Sequence, residues 1–268
     1  MELSIVIVSH NARTDLANCL DSLLLHPTSV AHEVIVVDNA STDGSQEIAD
    51  SRRGIRLIRS ATNAGFAVAN NIGIRASTGR NILLLNSDTI VPPGAVDGLM
   101  RRLAVEADAA VLGPRLVDGR GRAELSFGPM LTPWNEWSRQ RLFRRLAAND
   151  NASVAEVERV TKLEQRPDWV TGACLLVRRA DAEAVGLFDE RYFMYTEDVD
   201  FCASIRARGR EILFIPNVEV VHLRGRSAAG ASAATRDAYE RSHLAFYRKH
   251  HPVWVPLLLL FRVFRRRV

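Results

Sequence analysis

The sequence has little cysteine: three in 268 residues, Cys19, Cys174 and Cys202, with no Cys-x-x-Cys pair. This excludes a disulfide framework and a thiolate zinc site, and it fits a reducing cytoplasmic compartment. No Gly-x-Gly-x-x-Gly follows the first apolar run, which argues against a dinucleotide oxidoreductase. The first turn, His10-Asn11-Ala12-Arg13, lacks a glycine-rich phosphate loop, which argues against a sugar nucleotidyltransferase. The apolar stretch at residues 253–264 is too short to span a bilayer. No basic run precedes the first apolar residues, so residues 1–8 read as the start of a strand rather than a signal peptide. Long internal repeats, disordered linkers and nucleic-acid-binding motifs are also missing, so no nucleic-acid partner is expected.

What is present is apolar content of 47%, enough for one large α/β core. The net charge of +4 is unevenly spread. Arginines gather at Arg139, Arg141, Arg144 and Arg145, and again at Arg262, Arg265, Arg266 and Arg267. The second group adjoins the 253–264 stretch, and an apolar face flanked by arginines suits the interface of an anionic membrane. Peripheral attachment at the inner face of the cytoplasmic membrane is therefore expected.

The chain is organised around residues 81–89, NILLLNSDT. Four apolar residues run without alternation and stop at Asn86-Ser87-Asp88, the pattern of a strand buried on both faces that opens into a ligand crevice. A carboxylate there can tether a metal bound to a diphosphate, although taken alone Asp88 equally suits a turn cap. Three strand and helix units precede it. LSIVIVS ends at Ser9 and Asn11, EVIVVD ends at Asp38, and Ile55 to Arg59 leads to Asn63-Ala64-Gly65 and a helix that Gly79 should stop. Ser41 or Thr42 is placed to cap the second helix. Four alternations in under ninety residues predict a parallel, doubly wound sheet with ligands at the carboxyl ends of its strands.

Farther on, Trp134, Trp137, Leu142, Phe143 and Leu146 suggest an amphipathic helix. Residues 170–178 read as one apolar strand whose glycine permits close backbone approach, and residues 211–215 and 218–221 as two short strands. In FDERYFMYTEDVDFC, Thr196 is placed as an N-cap, with Glu197 and Asp198 in the first turn of a helix. Acidic first turns are common, but acids packed among aromatic residues are candidates for chemistry. His222 ends an apolar run, a position that suits a structural histidine as well as a ligand. The small residues of 224–232 suit a lid that excludes water.

Seven stretches in order, VIVSHN, VVDNASTDGS, NAGFAVANN, LLLNSD, TGACLLVRR, FDERYFMYTEDVDFC and VVHLRG, resemble the inverting family-two glycosyltransferases of GT-A fold. Within them the chain is most similar to the rhamnosyltransferase-like branch that builds cell-surface polysaccharide. The resemblance implies a GT-A domain over residues 1–225, with a Rossmann-like nucleotide-sugar-binding half at 1–115 and an acceptor half at 116–225. Residues 226–268 would form a mobile loop and a C-terminal helical, membrane-associating segment. It implies a donor site of Ser9, Asn11, Asp38, Asn63, Gly65, Asn86 and Asp88. It also implies a Mg2+ or Mn2+ ion on Asp88 and His222, and catalysis by Asp198 with Glu197 beside it. Asn86 departs from the commoner aspartate of the family's Asp-X-Asp. The implied reaction carries a sugar, with dTDP-rhamnose as the candidate donor, onto a glycan or polyprenyl-linked acceptor. The competing expectation is a non-catalytic nucleotide-sugar-binding subunit, against which the intact acids speak.

Overall fold

The computed structural model describes residues 1–223 and 233–259. In chain order the elements are β1 Leu3–Ser9, α1 Arg13–Leu25, β2 His32–Asp38, α2 Ser45–Asp50, β3 Ile55–Arg59, α3 Phe66–Ala76, β4 Asn81–Asn86 and β5 Thr89–Ile90. Next come α4 Ala95–Val105, β6 Ala109–Val117, β7 Phe127–Gly128, α5 Pro133–Ala147, α6 Asn151–Val160, β8 Trp169–Val170 and β9 Cys174–Arg178. The remainder is α7 Arg179–Ala184, α8 Glu197–Arg206, β10 Glu211–His222 and α9 Ala233–His250, followed by a short 3-10 turn at Pro252–Trp254.

Eight strands form one sheet in the order β3-β2-β1-β4-β9-β6-β10-β5, and β7 pairs with β8 apart from it. β1 runs parallel to β2 and β4, so Ser9 lies opposite Asp38 and Val8 opposite Asn86. β9 is antiparallel to both of its neighbours, and β5 is antiparallel to β10. The sheet is thus mostly parallel, as expected.

Alternation along β1 explains the layers. Ile5 and Ile7 face a core built with Leu16 and Leu20 of α1 and Leu99 of α4. Val6 faces the opposite core, with Ile74 of α3, Phe201 of α8 and Phe246 of α9. Ile82 to Leu85 of β4 are all essentially inaccessible, and burying each such side chain contributes roughly 1.5–3 kcal/mol. Rigid strands therefore carry the polar residues at their ends.

Several local expectations are corrected. The strand expected at residues 170–178 divides at Thr171-Gly172-Ala173, because β8 joins β7 while β9 enters the main sheet. The two strands expected over 211–221 form one, β10, with an irregularity between Ile215 and Glu219, where Pro216 supplies no N–H. Neither Ser41 nor Thr42 caps α2, because the chain reaches Gly44 before the helix begins and Asp43 accepts from the Ser45 N–H at 3.0 Å. Gly79 does not stop α3, which ends earlier at Ser77. A Cβ at Gly79 would lie 2.4 Å from the Ser4 nitrogen, so glycine is needed for close approach to β1. The aromatic positions of α5 do form a helix, yet none of its residues is fully buried.

The expected lid at 224–232 and the arginines beyond residue 259 lie outside the described residues. Among the described residues no helix is long and apolar enough to cross a membrane.

Candidate active site

Ser9, Asp38 and Asn63, expected on the donor side, gather where β1, β2 and β3 end. Ser9 and Asp38 are buried there, and Asp38 accepts from the Ser41 N–H at 3.0 Å and from the Gln46 amide at 2.8 Å. Its other oxygen, Oδ1, has no hydrogen-bond partner, and neither do Ser9 Oγ and Ser60 Oγ. Buried polar atoms left unpaired cost stability, so three of them at adjacent strand ends mark a place that a polar ligand completes. Asn11 accepts from the Thr42 N–H at 2.8 Å and joins the first two loops from a more exposed position. The Asn39 amide donates to Asn63 Oδ1 and the Gly65 carbonyl, and its own oxygen accepts from the Ala64 N–H. Gly65, at φ 90°, leaves no room for a Cβ, which would fall 2.4 Å from the Phe193 carbonyl oxygen. The same carbonyl accepts from the Phe66 N–H at 2.7 Å. The loop after β3 and the loop before α8 are clasped at this point.

Across the sheet, β5 pairs with β10 so that His222 lies opposite Thr89, next to Asp88. His222 Nε2 is 3.3 Å from Asp88 Oδ1, and Nδ1 is 3.1 Å from Glu124 Oε2. Burial alone would lower the histidine's pKa, but the hydrogen bonds to Asp88 and Glu124 outweigh it and hold the ring up at about 9. Two ligands of one ion at about 2.1 Å sit about 3 Å apart, so Asp88 and His222 have the spacing of adjacent ligands. Among the described residues no three His, Cys, Asp or Glu side chains converge as a complete cage. A hard cation that took the place of the His222 Nε2 proton would be held by these two side chains and keep its other positions for phosphate oxygens, and the donor set fits that arrangement.

The third part is the start of α8. Thr196 stands where the cap was expected but does not cap. Its backbone is left-handed at φ 65°, and its hydroxyl donates to the Tyr195 carbonyl instead. Tyr195 is left-handed as well, at φ 69°. Consecutive non-glycine residues in this region are strained, and such strain gathers at functional sites. Asn11 and Ala40, at the ends of β1 and β2, share the conformation.

Asp198 accepts from the Gly172 N–H at 2.9 Å and from the Val199 N–H at 2.8 Å. Burial nevertheless raises its pKa, with those two N–H groups opposing. Glu197 is buried, its Oε2 has no partner, and burial followed by the charge of Asp198 pushes its pKa well up. The start of α3 comes close to this acid too, since a Cβ at Gly172 would touch Phe66 at 3.3 Å and Asp198 at 3.5 Å. Ala173 then accepts from the Asn86 N–H at 2.9 Å, which links this acid to the end of β4.

Asn39, Ser60 and Glu124 were not legible as site residues. Asn39 stood within the polar turn after β2, a usable signal, whereas nothing local distinguishes Glu124. Asp200, also unmarked, is 2% exposed and receives the Tyr192 hydroxyl at 3.1 Å, Lys249 at 2.8 Å and His250 at 2.6 Å. α9 is thereby fastened to the helix that bears Asp198.

Known proteins resemble this chain in sequence and in fold. The sequence profile described as Glycosyl transferase family 2 matches residues 4–155. The N-acetylglucosaminyl-diphospho-decaprenol L-rhamnosyltransferase of Mycobacterium tuberculosis is 30% identical over 264 residues, covering 94% of this chain and 86% of that protein. Among solved structures, GalNAc-T7 with UDP, GalNAc and Mn2+ has a TM-score of 0.65 at 18% identity over 90% of this chain, which spans 47% of that one. The mannosyltransferase PcManGT of Pyrobaculum calidifontis, with GDP-Man and Mn2+, has a TM-score of 0.63 at 18% identity, covering 96% of this chain and 68% of that one. These structural likenesses establish the GT-A fold.

Proposed function

The chain belongs to glycosyl transferase family 2, and from that premise we propose that it transfers L-rhamnose, with inversion, from a nucleoside-diphosphate donor to a polyprenyl-diphosphate-linked sugar. The single observation that carries the reading is the meeting of Asp88 and His222 at 3.3 Å, in a site whose other wall holds the half-buried Asp198. The mycobacterial rhamnosyltransferase, similar over most of both chains, supports the choice of rhamnose and of a lipid-linked acceptor.

Ser9, Asp38 and Ser60 offer their unpaired oxygens to the nucleotide, with Asn11, Asn63 and Gly65 shaping the same pocket. Asn86 and Asp88 hold the diphosphate end. Asp88 and His222 would hold Mg2+ or Mn2+, which when bound supplies positive charge to the departing diphosphate. Glu124 accepts from His222 Nδ1 and so directs Nε2 toward Asp88. Asp198 takes the proton from the acceptor hydroxyl as its oxygen attacks the anomeric carbon and the bond to the diphosphate breaks on the opposite face. Attack opposite the leaving group inverts the centre. A raised pKa makes Asp198 a stronger base than an exposed aspartate, and Arg139, which lowers it, moderates that effect.

Transfer from a panel of nucleotide sugars to polyprenyl-diphosphate N-acetylglucosamine, with divalent metal or with chelator, tests the reading. Metal-dependent transfer from dTDP-rhamnose is the expected result. Donor binding with no transfer under any condition would favour a non-catalytic subunit.

A further inference from the structure

The outward side of α5 has no role in the reaction just derived. Trp134 is 74% exposed and Trp137 54%, with ring centroids 5.5 Å apart. Arg141 lies 5.8 Å from the Trp137 ring, and Arg144 is exposed beyond it. Positions 134, 137, 141 and 144 are spaced by three, four and three, so these side chains form one stripe on the helix. The one acid of the helix and the remaining arginines are turned elsewhere. Glu136 faces His243 of α9 at 2.7 Å, Arg145 pairs with Asp150 at 2.8 Å, and Arg139 lies over Trp169 at 4.4 Å. The stripe is therefore aromatic at one end, cationic at the other and free of acids.

We propose that this face of α5 docks on an anionic lipid bilayer. Scattered exposed apolar residues are ordinary on a protein surface, but adjoining tryptophans beside arginines match the chemistry of a headgroup region. Indole rings rest at the boundary of headgroup and acyl chain, and guanidinium groups meet lipid phosphates. A second set of exposed apolar side chains, Val253, Trp254, Leu257 and Leu259, follows α9, which itself contacts α5. The opposite side of α5 carries Arg139, whose charge acts on Asp198. Docking through the outer side thus presents a lipid-linked hydroxyl to the base. For its use, though not for its test, this inference rests on the proposed lipid-linked acceptor.

The test is co-sedimentation of the full chain with vesicles of phosphatidylcholine alone, or mixed equally with phosphatidylglycerol, without donor or acceptor. Binding to the mixed vesicles that weakens with salt is expected. Arg141→Gln with Arg144→Gln should lower partition about thirtyfold, and Trp134→Ser with Trp137→Ser should also lower it, with unfolding temperature and donor hydrolysis unchanged. Partition unchanged in both double variants, or equal binding to pure phosphatidylcholine, would overturn the proposal. An intact surface is read separately by Ser138→Cys carrying a polarity-sensitive dye, selective because Cys19, Cys174 and Cys202 are buried. A blue shift on mixed vesicles supports docking, and an unmoved spectrum, as for a protein-binding face, rejects it. Vesicle binding without transfer would leave this inference standing and remove the proposed reaction instead.

Discussion

Two neighbouring carboxyl groups at the start of α8 are kept apart chemically by their surroundings. Asp198 has two N–H partners and is only partly buried, whereas Glu197 is enclosed with an oxygen left unpaired among the described residues. Asp198→Asn should reduce transfer by about 10²–10⁴-fold while leaving donor affinity intact, measured by turnover beside equilibrium binding. Because burial raises the Asp198 pKa, kcat/KM should climb with pH through an apparent value above the ordinary aspartate range. Glu197 has the same direction of shift and a consequence for stability. A carboxyl group whose folded-state pKa is raised retains its proton longer when folded. Its contribution is complete below the unfolded pKa and is lost as pH rises through the folded one. The unfolding temperature should therefore fall over that window, and Glu197→Gln should flatten the fall. On the opposite wall, Glu124→Gln should weaken Mn2+ binding about 10–100-fold, read by titration without donor. A smaller change would remove Glu124 from the orienting role.

At the scale of elements, legibility depended on whether a local pattern had a distant competitor. The apolar runs of β1, β2 and β4 end in polar residues because parallel strands are buried along their length and exposed at their ends, so Ser9, Asp38 and Asp88 were readable. The cap expected at Thr196 was lost because the chain enters α8 through two left-handed residues, a conformation that spacing does not encode. α5 was readable as a helix, but which of its aromatic residues are covered depends on layers folded elsewhere. Glu124 meets His222 only because β10 lies beside β6, with Val221 opposite Val117, a pairing across a hundred residues of chain. α9 belongs to this scale as well, since Phe246 and Tyr247 are fully buried in the second core. Asp200→Ala would leave Lys249 and His250 without their shared acceptor. It should cost about 3 kcal/mol of stability by denaturant unfolding, with part of that loss restored by Asp200→Asn.

For the molecule as a whole, donor and metal are expected to act as one ligand. With donor at about 100 times its dissociation constant, the folded state gains about 2.7 kcal/mol, and omission of metal or Asp88→Asn should remove most of it in a thermal-shift measurement. The antiparallel β9 has a different consequence, for biosynthesis. Among the described residues it is the only strand hydrogen-bonded to both β4 and β6, and so the only join between the β3-β2-β1-β4 and β6-β10 groups in this sheet. While the ribosome has yet to deliver residues 174–178, the β3-β2-β1-β4 group has an unpaired apolar border at β4 that invites pairing with a sister chain. A polypeptide ending at residue 155, where the family profile stops, is accordingly expected to precipitate on release, whereas one carried past β10 can complete its sheet.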